Sequence, residues 1–270
     1  MRQSVPALER RLLTDDGTVL HATYSPGPGG PVAVVLVHGF NVSSGAAPNM
    51  AIQGILNEEF PVVALDLRGH GRSDGVSTLG EREIHDVAAA VAWARLLGHP
   101  DVVTVGFSLG GAVVLRHAGL VGGVAGVVAV SPPAFWYYRG TAIMRLLHLG
   151  IENPLGRAYL RTANRTRVTP PPWPLPWPEH PARTAARIPP TPFLVVHGRQ
   201  DAFFPLEHPQ ALARGAAEGS SDRGVVDNTE VWIEDFGHAE AAIPADLVRR
   251  ISSWVADRTP SPSAGPRSTR

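Results

Sequence analysis

Short, mostly apolar segments recur along this chain, and the stretches between them carry helical patterns. Six runs rich in valine and other apolar residues lie at 32–37, 62–67, 102–107, 124–130, 193–196 and 231–233. Strands that are apolar on both faces are typical of parallel sheets covered by helices. The alternation therefore predicts an α/β fold built on a mostly parallel sheet, which places ligands at the carboxyl ends of its strands.

Two more strands are predicted near the N-terminus, where residues 9–14 and 19–24 flank an Asp-Gly turn at Asp16-Gly17. They bring the predicted sheet to eight strands. Helical spacing of apolar residues predicts flanking helices at 81–97, 109–118, 206–217 and 244–255.

The strand and helix rhythm predicts one domain over residues 1–258, interrupted by an insertion. The rhythm breaks at about 133–190, a segment with clustered aromatics and prolines that we interpret as a cap. Residues 259–270 are rich in Pro, Ser, Thr and Arg without an apolar period, so this tail is predicted to be disordered.

The residue content excludes several kinds of chemistry. All 24 basic residues are arginine, so there is no Schiff-base lysine, phosphate-loop lysine or Ser-Lys pair. The 24 acidic residues leave no net charge, and nucleic acid is therefore not expected as a partner. With no cysteine there is no thiolate nucleophile, and no His-x-His or His-Glu-x-x-His pattern predicts a metal site.

The N-terminal segment and the apolar runs bear on location. Residues 1–20 lack the uninterrupted apolar stretch of a signal peptide, so a cytoplasmic location is predicted. The most apolar stretch, residues 120–130, is short and contains three glycines, which favours a buried strand over a membrane span.

Two segments match the pattern Gly-x-Ser-x-Gly, one centred on Ser73 and one on Ser108. A nucleophilic serine of this kind needs a strand that runs directly into a helix, because the sharp turn exposes the hydroxyl. Ser108 follows the predicted strand 102–107 and precedes the predicted helix 109–118, whereas Ser73 lies deep in a loop. The sequence therefore favours Ser108 as nucleophile.

A serine nucleophile needs a base, and the base needs an acid to fix its tautomer. Asp201 follows the predicted strand 193–196, and His238 follows the last one. We predict Asp201 as the acid and His238 as the base, with Asp235 and Asp227 as rival acids. A turn residue for Asp201 and a loop histidine for His238 are the alternative interpretations.

Acyl transfer also needs donors for the oxyanion. The backbone N–H of Leu109, next to the nucleophile, is one predicted donor, and the N–H of Phe40 in the loop after residue 37 is the other. His38 in that loop is interpreted as a structural hydrogen-bonding residue.

Taken together, these motifs make the chain resemble the α/β-hydrolase superfamily over about residues 10 to 256. Within the superfamily, it is similar to the esterase and lysophospholipase-like members. The motifs that carry the resemblance are His38-Gly39-Phe40, the segment 66–73, Gly106-Phe107-Ser108-Leu109-Gly110-Gly111, His197-Gly198 with Asp201, and Gly237-His238.

The resemblance implies a serine hydrolase that needs no cofactor and acts on a small acyl substrate through an acyl-enzyme. A serine at the turn argues against dehalogenase and epoxide hydrolase chemistry, which needs a carboxylate there. Acyltransferase, thioesterase and perhydrolase activities share the same triad. A non-catalytic binding protein that keeps the fold is the alternative outside enzymes.

The predicted cap offers the only indication of substrate. Phe135, Trp136, Tyr137 and Tyr138 are expected to line an apolar pocket, joined by Trp173 and Trp177, with Arg139 as a site for an anionic group. The alternative is that these aromatics anchor the cap onto the core.

Overall fold

A computed structural model describes residues 7–170 and 178–258 and confirms the predicted α/β architecture. The eight-stranded sheet has the order β1-β2-β4-β3-β5-β6-β7-β8. Pairs β1–β2 and β2–β4 are antiparallel and every other pair is parallel. The strands are β1 Leu8–Leu13, β2 Val19–Ser25, β3 Val32–Val37, β4 Val62–Leu65, β5 Asp101–Phe107, β6 Gly126–Val130, β7 Phe193–Gly198 and β8 Thr229–Glu234.

Helices cover both faces of this sheet, as expected when parallel strands are connected by crossovers. They are α1 Ala47–Leu56, α2 Glu83–Leu96, α3 Leu109–Leu120, α4 Ala142–Glu152, α5 Pro154–Ala163, α6 Pro181–Ala185, α7 Glu207–Arg223, α8 Ala239–Ala242 and α9 Ala245–Arg258. One apolar core packs α2, α3, α6 and α7 against one face. A second core packs α1, α8 and α9 against the other.

The predicted hairpin and the predicted strand runs are confirmed, with strand ends that differ from the predicted ones by up to two residues. The run predicted to end at residue 67 leaves the sheet after Leu65. The reason lies in Asp66, whose Oδ1 accepts hydrogen bonds from the backbone N–H and the hydroxyl of Ser44, at 2.8 and 2.7 Å. The Asp66 N–H still donates to His21 O on β2 at 2.9 Å, but the side chain of Asp66 binds a neighbouring loop and the chain turns away beyond this point.

Between β6 and β7 the structure contains α4, α5 and α6, none of which the sequence pattern indicated. Helix α4 begins at an N-cap, Thr141, whose hydroxyl accepts from the N–H of Met144, and α5 is capped by Asn153 ahead of Pro154. Trp173, Trp177 and the tail 259–270 lie outside the described residues. The division into domain, cap and tail therefore stays a prediction.

Within the described ranges, no helix combines the length and the apolar content that crossing a membrane requires.

Candidate active site

Ser108 lies at a sharp turn between β5 and α3. Its backbone is strained, with φ 50° and ψ −117°, and non-glycine residues adopt positive φ only when surrounding structure enforces it. One contact that holds this conformation is the hydrogen bond from the Ser108 N–H to Val130 O on the neighbouring strand, at 2.8 Å. The turn places the hydroxyl at the carboxyl edge of the sheet and at the start of α3.

Two glycines make this turn possible because backbone segments approach closely around it. A Cβ on Gly106 would lie 2.3 Å from the carbonyl oxygen of Gly110. A Cβ on Gly110 would lie 2.4 Å from the carbonyl oxygen of His38. Both contacts are shorter than any side chain tolerates, so α3 reaches its position only with glycine at both sites.

The structure brings together the three residues predicted for catalysis, although they lie far apart in the chain. His238 Nε2 lies 2.9 Å from Ser108 Oγ, and His238 Nδ1 lies 2.8 Å from Asp201 Oδ2. An ionised Asp201 only accepts hydrogen bonds, so Nδ1 carries the proton and Nε2 is left to accept from the serine hydroxyl. This is the tautomer that a general base for Ser108 requires.

Asp201 is held in the ionised form although its side chain is only 1% exposed. Burial alone raises the pKa of Asp201. Hydrogen bonds from His238 and from the backbone N–H groups of Phe203 and Phe204 outweigh that cost and hold the pKa below its ordinary value. The carboxylate can therefore orient His238 and stabilise its protonated form during a reaction.

Aromatic rings enclose His238, a feature that no sequence motif indicated. The ring of Phe203 stacks on the imidazole with centroids 4.1 Å apart, and the ring of Phe204 approaches edge-on at 5.5 Å. His197 Nε2 donates to Phe204 O at 2.8 Å and so fixes the loop that carries both rings.

The loop after β3 lies against the nucleophile, since a Cβ on Gly39 would lie 3.2 Å from Ser108 Cβ. His38 Nε2 accepts from the Leu67 N–H at 3.0 Å, so its Nδ1 carries the proton and donates to Gly39 O at 2.7 Å. That carbonyl shares a planar trans peptide with the N–H of Phe40. His38 therefore has a structural role, as predicted. By fixing the carbonyl of Gly39 it also fixes the direction of the Phe40 N–H, the predicted oxyanion donor.

Glu240, two residues after His238, holds the other side of this loop and was not indicated by the sequence. Its Oε1 accepts from the Gly39 N–H at 2.9 Å, and the side chain lines the cavity beside Ser108. Within the described residues, the backbone N–H groups of Phe40 and Leu109 have no protein acceptor. Both predicted oxyanion donors are therefore available to a ligand.

The rival residues serve other purposes. Ser73 is buried, accepts from the His21 N–H at 2.9 Å and donates to Asp66 O at 2.5 Å, so it is part of a structural loop. Asp235 is exposed and pairs with Arg199 at 3.0 Å. Asp227 accepts from the Thr229 N–H at 3.0 Å.

A largely apolar cavity of about 560 Å³ opens onto Ser108 and His238. Met144, Leu147 and Ile151 on α4 form one wall. The four aromatics predicted to line a pocket all line this cavity: Phe135, Trp136, Tyr137 and Tyr138. Ligand sites of this size commonly combine apolar walls with a few polar groups.

The anchoring interpretation also holds for part of this cluster. Trp136 is 6% exposed, and its indole N–H donates to Glu179 O at 3.0 Å. Phe135 packs edge-on against His180 and His208. Arg139, expected to bind an anionic group in the pocket, is not part of the lining and pairs with Glu152 at the surface.

A family model described as the alpha/beta hydrolase family matches residues 34–257. The chain belongs to this family. The α/β hydrolase also resembles solved esterases. An esterase of Pyrococcus furiosus superposes with a TM-score of 0.74 at 22% identity, covering 95% of this chain and 92% of the other. An esterase of Rhodococcus sp. ECU1013 gives a TM-score of 0.65 at 20% identity, covering 93% and 99%. These likenesses concern the fold.

A protein described as a non-heme chloroperoxidase from Streptomyces lividans is 37% identical to this α/β hydrolase over 127 residues. The match covers 44% of each chain, so this hydrolase aligns with less than half the length of that relative.

Proposed function

We propose that this α/β hydrolase cleaves carboxylic esters through an acyl-enzyme on Ser108. The observation that carries the proposal is the continuous hydrogen-bond chain from Ser108 through His238 to Asp201 beside an apolar cavity. An activated serine of this kind attacks acyl carbonyls, and the cavity offers space for an apolar acyl or alcohol group.

The reaction runs in two halves. His238 Nε2 takes the Ser108 hydroxyl proton as Oγ bonds to the ester carbonyl carbon, and the backbone N–H groups of Phe40 and Leu109 stabilise the resulting oxyanion. His238 then gives its proton to the departing alkoxide, which leaves as the alcohol. A water molecule, deprotonated by His238, attacks the acyl-enzyme, and the carboxylic acid is released as Oγ regains a proton.

Acyl transfer to a nucleophile other than water is the second candidate. The match to a non-heme chloroperoxidase favours hydrogen peroxide as that nucleophile. Peroxide would replace water in the second half of the reaction and release a peroxy acid, with no change in the triad. Comparing peroxy acid with carboxylic acid formation in the presence of peroxide separates the two.

The test of the proposed function is hydrolysis of a series of 4-nitrophenyl esters from acetate to octanoate. We expect kcat/KM to rise about fourfold per methylene while the cavity fills, since each buried methylene contributes ~0.8 kcal/mol. Met144→Trp, which fills the cavity from α4, should lower the octanoate to acetate ratio of kcat/KM. Met50→Trp, at a position 58% exposed, is the matched control and should leave the ratio unchanged.

Absence of turnover above the buffer rate with every ester would overturn the proposal and favour a binding protein. Turnover that does not depend on chain length would support the proposed hydrolase activity but contradict the assignment of the cavity as the acyl site.

A further inference from the structure

Positive charge is concentrated in one segment of this neutral chain. Residues 139–167 contain six arginines and one glutamate, whereas the rest of the sequence has 18 arginines against 23 carboxylates. The segment includes α4 and α5 and thus carries a net charge of +5 beside the active-site cavity.

Most of this charge is not neutralised by the protein. Arg139 pairs with Glu152. In the part of the chain that the structure describes, the other five arginines have no carboxylate within ion-pair distance. Arg161 and Arg165 are exposed and have no side-chain hydrogen bond there either, and Arg145 and Arg157 donate only to carbonyl oxygens. The segment therefore presents uncompensated cations.

Large apolar side chains are exposed on the same two helices. On α4, Leu146 is 70% exposed and Leu149 is 64% exposed, and on α5, Leu155 is 80% exposed and Tyr159 is 66% exposed. We call these four residues and Ile143 the outer cap face. Helices α4 and α5 pack against each other, and large exposed apolar residues grouped on adjacent elements mark an interaction surface. The opposite side of α4, through Met144, Leu147 and Ile151, lines the cavity.

We propose that the outer cap face docks on the surface of a bilayer that contains anionic phospholipid. Amphipathic helices that combine exposed leucine and tyrosine with arginine partition into such interfaces, where apolar insertion and attraction to anionic headgroups act together. A second copy of the chain is a poorer occupant for this face. Symmetric contact between two such faces brings two segments of charge +5 together.

Docking of this kind leaves α4 as the layer between the bilayer and the cavity. The proposal concerns binding and stands whether or not Ser108 forms an acyl-enzyme.

The test is sedimentation of the purified full chain with large vesicles of phosphatidylcholine alone or with 30% phosphatidylglycerol. We expect binding to the anionic vesicles that weakens with added salt, and little binding to the neutral ones. Arg161→Gln with Arg165→Gln should reduce the partition coefficient about 30-fold, because each cation near an anionic bilayer contributes about 1 kcal/mol. Leu146→Ser with Leu149→Ser should reduce it at least about tenfold.

The matched controls lie elsewhere on the surface. Arg214→Gln with Arg249→Gln removes two exposed arginines, and Leu96→Ser changes a leucine that is 83% exposed. Both should bind vesicles like wild type. Circular dichroism melts confirm that each variant is folded. Equal binding by the cap and control variants, or no binding to anionic vesicles, overturns the proposal. The proposal is also overturned if light scattering shows that wild type is a dimer, and if Leu146→Ser with Leu149→Ser dissociates that dimer without changing vesicle binding.

Discussion

Ser108→Ala is expected to lower kcat for 4-nitrophenyl esters by a factor on the order of 10⁵ to 10⁶, as removal of the nucleophile does in serine hydrolases. The Ser108 hydroxyl is the only group that His238 Nε2 contacts by a hydrogen bond among the described residues. Without it no covalent step remains. The free energy of unfolding should fall little, because among the described residues the Ser108 hydroxyl is hydrogen-bonded only to His238 and holds no other part of the fold in place.

Asp201→Asn should cost about 10⁴-fold in kcat, because the amide would leave His238 in the wrong tautomer for a general base. Asp235→Asn is the matched control, since Asp235 lies at the surface and pairs with Arg199. It should keep wild-type kcat within a factor of about two. A large loss in the Asp235 variant with activity kept in the Asp201 variant would show that the acid is wrongly assigned.

The other large expected effect concerns stability: the free energy of unfolding should fall as the pH drops below about 6.5. Burial lowers the pKa of His70 to about 3 and that of His208 to about 3, and it lowers the pKa of His117 to about 4. In the unfolded chain these histidines bind protons near pH 6.5. Between pH 6.5 and 4 the unfolded state binds more protons at these three rings, which together lower the free energy of unfolding by up to ~4 kcal/mol per pH unit. Burial raises the pKa of Asp86 to about 7, so this carboxyl takes up a proton in the folded state and offsets up to about a third of that fall.

Thermal or urea unfolding measured from pH 8 to pH 4.5 checks this expectation. His208→Gln should reduce the slope by up to about 1.4 kcal/mol per pH unit, since one buried group no longer titrates. His85→Gln is the control, because the side chain of His85 is 33% exposed and pairs with Asp15. A free energy of unfolding that stays constant down to pH 4.5 would contradict the burial of these rings.

Much of this site was predictable because its chemistry is tied to strand ends. A strand that runs into a helix at Ser108, and strands that end ahead of Asp201 and His238, place three side chains at one edge of a parallel sheet. The same logic separated Ser108 from Ser73, since only one of the two motifs joins a strand directly to a helix.

The parts that were missed depend on contacts between distant segments. Nothing local to Glu240 indicates that its carboxylate reaches the Gly39 N–H, 201 positions earlier in the chain. The contacts of Phe203 and Phe204 with His238 also join segments that are distant in the sequence. Helices α4 and α5, in contrast, begin with N-cap residues that are visible in the sequence, Thr141 and Asn153-Pro154. Both helices were missing from the prediction because these helix-start signals were not recognised.

The most direct measurement for an activated Ser108 is intact-mass spectrometry after incubation with a fluorophosphonate. Ser108 Oγ would displace fluoride from phosphorus and form one stable phosphonyl ester. We expect a single adduct on wild type, none on Ser108→Ala, and strongly slowed labelling of His238→Ala. Wild type that stays unlabelled, or an adduct that persists in Ser108→Ala, would contradict the assignment of Ser108 as the nucleophile.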